Sequence, residues 1–415
     1  MSRKITFILN EFPALSETFI LNQIVYCVEN GFEVCIVSRS VGDLKKVHPQ
    51  VNKYSLLDKT IFIPPVPKNI IERFIKIIRS YLDNYSVKYI FESLKFFNII
   101  KYGIHALSLY IPYNYIYLNK IQNSSIIHAH FGHSGRFICL YKKSKIFKDI
   151  PVIVSFHGVD IIPKFISLYK KNYSNIFKHS SELLVNNNYS KELLLKINSK
   201  IEDKISILPV GVDTELFQKP ELISKKDSVI NIVFCSRLIS LKGPLNALKI
   251  FKNTISKSSI SLKLTIIGAG PELQILEDYV FSNNLNDKVH FTGGLVQNDI
   301  KHYFSIGDIF IYTGIPDPIN GREEIQGLVI QEAQSMEMPV VCSNVGGVKY
   351  GIINGGTGYL VPSGNIETFS DRLLTLINNN NLRLEFGKRS REFIINNFEQ
   401  SVLNKKLINI YFKYM

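Results

Sequence analysis

The chain alternates short apolar runs with longer stretches in which apolar residues recur every three to four positions. Runs at residues 5–9, 33–38, 126–130, 152–156, 183–186 and 205–208 are rich in Ile, Val and Leu. Continuous apolar runs of this length, bounded by Gly, Asn or Ser, read as strands buried on both faces, with the periodic stretches between them as crossover helices. The first such helix is expected to start near Ser16, to turn Ile20, Ile24 and Val28 inward, and to stop at Gly31. A second series at 231–235, 263–267, 289–291, 309–312, 340–343 and 359–361 repeats the alternation. Strand, helix, strand at this spacing is a βαβ unit. The pattern therefore predicts an α/β chain of two doubly wound halves, each with its own parallel sheet. The expected division is 1–208 for the first domain, 209–395 for the second and 396–415 for a last helix. The linker is expected over 209–220 and the charged stretch 224–227.

Length supports the division, because 415 residues exceed the size at which one core usually keeps growing. No apolar run approaches the ~18 residues of a membrane span. The opening Met1-Ser-Arg-Lys-Ile5 leads into a first strand and not a signal peptide. The five cysteines show no metal-type pairing, so a reducing cytosol is expected and neither a metal nor a cofactor is. A net charge of +14 restricts the partners to nucleic acid, anionic membrane or a phosphorylated substrate. Its distribution is uneven. Between Lys68 and Lys120 there are eight Lys or Arg against three acids, mixed with Ile, Phe and Tyr. Residues 70–81 and 89–102 are predicted as basic amphipathic helices. They suit an anionic bilayer surface, or equally a sheet cover with its lysines outward.

Candidate chemistry gathers at the expected strand ends. Residues 320–334 read Asn320-Gly-Arg-Glu-Glu-Ile-Gln-Gly-Leu-Val-Ile-Gln-Glu-Ala-Gln334, a polar loop turning into helix formers at Gly327. Glycine there lets backbone approach a ligand, and the free N–H groups of a helix start attract phosphate. Glu324 and Glu332 bracket the turn. On one unbroken helix they would stand ~80° apart, so one is expected before the helix and one inside it, both facing a ligand. Carboxylates accept hydrogen bonds from vicinal hydroxyls; with phosphate between them the ligand is a nucleotide sugar. Upstream, Arg237 and Lys242 follow the first strand of the second half and lead into a helix start, where two cations and free N–H groups can meet one diphosphate. In the first half, strand ends carry His128-Ala-His130 and Phe156-His-Gly-Val-Asp160. On a strand His128 and His130 share one side, so both reach the cleft or both are buried; His130 is expected in the cleft, and Asp160 is expected to support its loop.

Glu-x7-Glu with Gly-Leu-Val between the acids, preceded by Ser236-Arg-Leu and Lys242-Gly, resembles the donor-site signature of glycosyltransferase family 4. The resemblance runs from Ile5 through Gly364 and implies the GT-B fold: two facing Rossmann-like domains with a cleft between them and a C-terminal helix crossing back to the first. It also implies a retaining, metal-independent transfer of a hexose-type sugar. Arg237, Lys242, Gly327, Leu328, Val329, Glu332 and Gly294 would then bind a UDP- or GDP-linked donor, and Glu324, His157 and His130 would surround the transferred sugar. Phe12-Pro-Ala-Leu-Ser-Glu-Thr-Phe19 resembles the start of exopolysaccharide and colanic acid transferases of that family, which implies that Ser16, Glu17 and Thr18 line the acceptor side. The acceptor would be a saccharide or a polyprenyl-diphosphate-linked saccharide; the basic aromatic region 68–120 suggests the lipid-linked form, met at the inner face of the cytoplasmic membrane with that region in peripheral contact, and no nucleic acid is expected. Gly346-Gly-Val-Lys-Tyr350 departs from the family's Gly-Gly-x-Pro-Glu, which leaves that loop without a role. Two rival readings are a sugar-nucleotide epimerase of the same fold, which would turn over donor without acceptor, and a non-catalytic basic scaffold.

Overall fold

A computed structural model describes residues 3–14, 17–84, 86–144, 146–220 and 229–415; Ser16 and the charged stretch 224–227 lie outside the described residues. The first sheet contains β1 (Lys4–Leu9), β2 (Glu33–Ser38), β3 (Thr60–Phe62), β4 (Ile126–His130), β5 (Val152–Phe156), β6 (Glu182–Val185) and β7 (Ile205–Ile207). They form seven parallel strands in the order β3-β2-β1-β4-β5-β6-β7. The second contains β8 (Ile230–Cys235), β9 (Leu262–Ile267), β10 (Val289–Gly293), β11 (Ile309–Tyr312), β12 (Val340–Ser343) and β13 (Gly358–Val361). These run parallel in the order β10-β9-β8-β11-β12-β13. Strand order reverses between β1 and β4, and again between β8 and β11. Open α/β sheets bind ligands outside the carboxyl ends of strands at such a reversal. β3 was not expected; Thr60-Ile-Phe is short, half-buried and lies at the sheet edge, so its apolar pattern is weak.

Every residue of β4 and β5 is buried, including the polar His128, His130 and Ser155. One face of the first sheet packs on helices Thr18–Glu29 and Gln400–Phe412, through Ile20, Ile24, Leu403, Leu407 and Tyr411. The last helix therefore crosses back onto the first domain. Its return is fixed by Asn22 Nδ2 donating to Gln400 Oε1 at 2.7 Å and by Tyr414 Oη donating to the Ser181 carbonyl at 3.0 Å.

The region 68–120 departs from expectation. Ile70–Asn84 is one helix, but 89–102 is three pieces: Val87–Leu94, a 3-10 turn at Lys95–Phe97, and Ile99–Tyr102. Asn98 breaks the run by capping the third piece, accepting from Lys101 N at 2.9 Å, and Gly103 ends it with φ 56°.

Candidate active site

The loops at the facing strand ends enclose a cleft of about 730 Å³. Its second-domain wall begins at Gly327, which sits at φ +74° as the N-cap of helix Leu328–Ser335. A Cβ there would meet Ile330 Cδ1 at 2.7 Å, and the left-handed backbone disfavours any side chain. The N–H groups of a helix's first turn have no partners within the helix, so those of Leu328 and Val329, which line the cleft, are available to an anion.

The two carboxylates stand in opposite environments. Glu332, on the helix, is 8 % exposed. Burial pushes its carboxyl up to about 7 against a hydrogen bond from the Gln297 side chain. Burial would also raise Glu324, but the Lys242 ammonium beside it holds the carboxyl down at about 2, helped by Tyr312 and the Ile325 N–H. Glu324 Oε2 accepts from Lys242 Nζ and from Tyr312 Oη at 2.9 Å. Lys242 closes a 3-10 turn, Ser240–Lys242, before helix Pro244–Lys257. Arg237, exposed on the loop after β8, lines the same wall. Two carboxyl groups pushed apart in this way, with Lys242 on only one of them, can hold one acid that changes charge near neutrality and one fixed anion.

The first-domain wall carries His157, held from beneath by Asp160. Asp160 Oδ1 accepts from His157 N at 3.1 Å and Gly158 N at 2.9 Å, and Oδ2 accepts from Gly132 N at 2.8 Å. Burial raises this carboxyl to about 6 against those bonds. His157 Nε2 bonds His130 Nδ1 at 3.1 Å, with the rings stacked at 5.4 Å between centroids. His128 continues the stack, bonding Tyr411 Oη at 2.6 Å and Ser155 Oγ at 2.8 Å. Burial lowers all three imidazoles, His128 and His157 to about 3, so each is neutral in the physiological range.

A polar latch joins the walls. Asn186 Nδ2 donates to Gln326 Oε1 at 2.9 Å, Asn187 Nδ2 donates to the Ile325 carbonyl, and Gln326 Nε2 donates to the Val210 carbonyl at 2.7 Å. Ile325 itself is buried within the first domain's core. From behind, Gly347 N donates to the Glu324 carbonyl at 2.8 Å and Gly346 N to Glu323 Oε2 at 2.5 Å.

Placed against the expected residues, Glu324, His157, Arg237, Lys242, Gly294, Gly327, Leu328, Val329 and Glu332 converge on one cleft. His130 does not line it. The residue is fully buried behind His157, because β4 lies between β1 and β5 and the last helix covers the side its histidines share. Glu17 and Thr18 do not line it either: the helix begins at Thr18, Glu17 faces a small pocket with Phe12, Pro13 and His48, and Phe19 reaches the cleft instead. Gln297, Gln326 and Asn186 also line the cleft and were not anticipated. Gln326 lies between Glu324 and Glu332, but its partners are 116 and 140 residues away, which no local spacing encodes.

The chain matches two family models. Residues 16–216 match Glycosyltransferase Family 4, and residues 213–393 match Glycosyl transferases group 1. It is 28% identical over 382 residues to the amylovoran biosynthesis glycosyltransferase AmsK of Erwinia amylovora, covering 90% of each chain. It is 24% identical to the putative colanic acid biosynthesis glycosyltransferase WcaL of Escherichia coli K12, covering 98% of this chain and 99% of that one. In fold it is similar to Anabaena Alr3699/HepE, solved in complex with UDP: the TM-score is 0.74 at 14% identity, covering 99% of this chain and 100% of that one.

Proposed function

The chain belongs to glycosyltransferase family 4, and from that premise we propose that it moves a hexose-type sugar from a UDP- or GDP-linked donor to a saccharide acceptor, with retention, in the assembly of a bacterial exopolysaccharide. The glycosyltransferase fold is GT-B. The observation that carries the reading is the convergence of Arg237, Lys242 and the amides after Gly327 in one cleft with Glu324, Glu332 and His157. The relatives AmsK and WcaL are named as an amylovoran biosynthesis and a putative colanic acid biosynthesis glycosyltransferase, and HepE was solved with UDP and with UDP-glucose; both support the substrate classes.

As the bond between the sugar and the diphosphate breaks, negative charge builds on the leaving phosphate oxygen. Arg237, Lys242 and the Leu328 and Val329 amides would take it, and such preorganised charge is usually the largest contribution to catalysis. Lys242 would leave Glu324 for the phosphate, freeing Glu324 to accept from the sugar hydroxyls. Glu332 would accept from the ribose hydroxyls, and His157, a neutral imidazole whose Nδ1 is buried without a partner, would take a sugar hydroxyl from the other wall. The acceptor is read as lipid-linked. The latch across Gln326 keeps the walls together, and exclusion of water protects the donor from hydrolysis.

The test is a thermal-shift panel of UDP-, GDP- and ADP-sugars with and without EDTA. A donor at a hundred times its Kd adds about 2.7 kcal/mol; the shift should survive EDTA and vanish in Glu332→Ala. Turnover of the identified donor only when acceptor is added excludes an epimerase, and an axial anomer in product made from an axial donor establishes retention. No shift with any sugar nucleotide overturns the reading.

A further inference from the structure

Lys242 is the cation paired with Glu324, and a donor diphosphate in the cleft draws it away. Glu324 is then a buried carboxylate without its counter-charge, at the moment its charge matters. Two protein donors stay with it. Ile325 N donates to Oε1 at 3.2 Å, and Tyr312 Oη donates to Oε2 at 2.9 Å. Lys242 Nζ donates to that same Oε2, so the phenol already sits on the oxygen that the ammonium gives up.

The surroundings of Tyr312 fix its hydroxyl at this place. The residue closes β11 and is fully buried, in the apolar cluster that holds Cys235, Ile330, Ala333 and Cys342. A buried phenol needs a partner for its O–H, and Glu324 is that partner. Burial pushes the phenol well above its ordinary range; Glu324 and Cys342 add to this and Arg322 opposes it, so the group remains a donor at physiological pH. Gly314 makes room for the hydroxyl end of the ring, since a Cβ there would meet Tyr312 Oη at 2.6 Å. The turn that carries Lys242 is tied to the same segment. Thr313 Oγ1 donates to the Gly243 carbonyl at 2.7 Å, and Ile315 N donates to the Leu241 carbonyl at 3.1 Å. Lys242 Nζ lies 5.7 Å from the centroid of the Tyr312 ring. Tyr312 therefore touches both members of the ion pair, and only the lysine side chain is free to leave.

We infer that Tyr312 is the positioning residue for Glu324: its hydroxyl holds Oε2 in place when Lys242 turns to the diphosphate, and it leaves Oε1 to the transferred sugar. An ionised carboxylate has about four acceptor sites, so one phenol does not block it. Once Lys242 has turned away, burial favours the protonated form of Glu324, and the Tyr312 O–H opposes that change. The charge is what the reaction needs. As the sugar–phosphate bond breaks, the sugar carbon becomes electron-poor, and a carboxylate stabilises it where a carboxylic acid does not. The inference rests on the sugar-nucleotide reading for its purpose, whereas the bond from Tyr312 to Glu324 is tested without any donor.

The variant is Tyr312→Phe, which removes the hydroxyl and keeps the ring in the core. Melting of the unliganded full chain is followed from neutrality down to about pH 3, beside Glu324→Gln and the double variant. Lys242, Tyr312 and the Ile325 N–H hold Glu324 at about 2, so their bonds add stability above its ordinary 4.5 that is lost as pH falls. The melting deficit of Tyr312→Phe should be present at neutrality, narrow in acid, and be smaller in the Glu324→Gln background. A deficit that does not change with pH would make the hydroxyl a structural group only and overturn the inference. With the donor found by the thermal-shift panel, kcat should fall about tenfold or more, by a larger factor than donor KM changes. The acid limb of kcat should move to higher pH by about one pH unit, and Tyr312→Phe should lower kcat no further in Glu324→Gln. An unchanged kcat and pH profile would overturn the inference while leaving the transferase reading intact. Absence of donor turnover in the wild type would fell the transferase reading, and this role of Tyr312 with it.

Discussion

Replacing Glu332 by glutamine should stabilise the unliganded protein above neutrality and leave it unchanged in acid. Burial raises the Glu332 carboxyl from the ordinary 4.5 to about 7, so ionisation is resisted in the folded state and not in the unfolded one. Below pH 4.5 the group is protonated in both states and costs nothing. As pH rises through 4.5 to 7 the unfolded chain loses this proton first, and native stability falls. Above 7 the loss is complete, at about 3 kcal/mol for a displacement of this size. Glutamine keeps the shape and the acceptor oxygen for Gln297, and its amide takes the place of the acid's O–H. The variant should thus match the wild type at pH 4 and exceed it at pH 8, by on the order of 3–4 °C in Tm. Melting curves at intervals across that range, without nucleotide, give the answer. Equal melting at pH 8 would mean that Glu332 is hydrated or paired in the empty cleft, and the reasoning would fail. The same variant should bind the donor more weakly, since a carboxylate accepts from two hydroxyls and an amide from fewer, so stability and function would separate at one atom pair.

Lys242→Ala should leave Glu324 as an uncompensated buried anion and cost about 3–5 kcal/mol, while the double variant Lys242→Ala/Glu324→Gln should cost less than the single; urea titrations measure both. Because Glu324 is held at about 2, below the ordinary value, it contributes stability above pH 4.5 that is lost as pH falls toward 2, and Glu324→Gln should flatten that acid limb in pH-dependent melts. Asp160→Asn turns an acceptor of the Gly132 N–H into a donor facing a donor; a loss of about 2–3 kcal/mol is expected, with turnover falling because the His157 loop shifts. Gly347→Ala would place a Cβ 1.8 Å from the Ile325 carbonyl oxygen, and should lower both Tm and donor-induced stabilisation.

The legibility of this chain follows the range of its interactions. Strands such as β4 and β5 are buried throughout, so local composition suffices to mark them. The second-domain wall is legible for a related reason: Arg237 and Lys242 lie on one segment, and Glu324, Gly327 and Glu332 on another, each with its spacing intact. What stayed hidden depends on contacts between distant segments. His130 lies outside the cleft because the element that covers its side of β4 is the last helix, whose Tyr411 bonds His128 from 283 residues away. The break at Asn98 was missed because residues 89–102 have helical periodicity throughout, and one capping side chain outweighs it. The latch through Gln326, Asn186 and Val210 has no local signature at all.

The loop at 346–350 shows how a departure from a motif can leave its mechanical part intact. Without the family's proline and acid, no side chain of Gly346-Gly-Val-Lys-Tyr350 offers the expected chemistry. Yet Gly347 donates its N–H to the Glu324 carbonyl, and Gly346 donates to the Glu323 carboxylate. These are backbone functions, and they need the absence of side chains: Gly346 stands at φ +49°, and at Gly347 a Cβ would strike both the Ile325 carbonyl and Asn187 Nδ2, at 1.8 and 2.3 Å. The loop therefore acts as a clamp that holds 323–325 against the first domain. Through that segment it sets Glu324 within reach of Lys242 and Ile325 within the core of the opposite wall. The glycines carry the alignment of the two walls of the cleft, and the residues after them are free to differ.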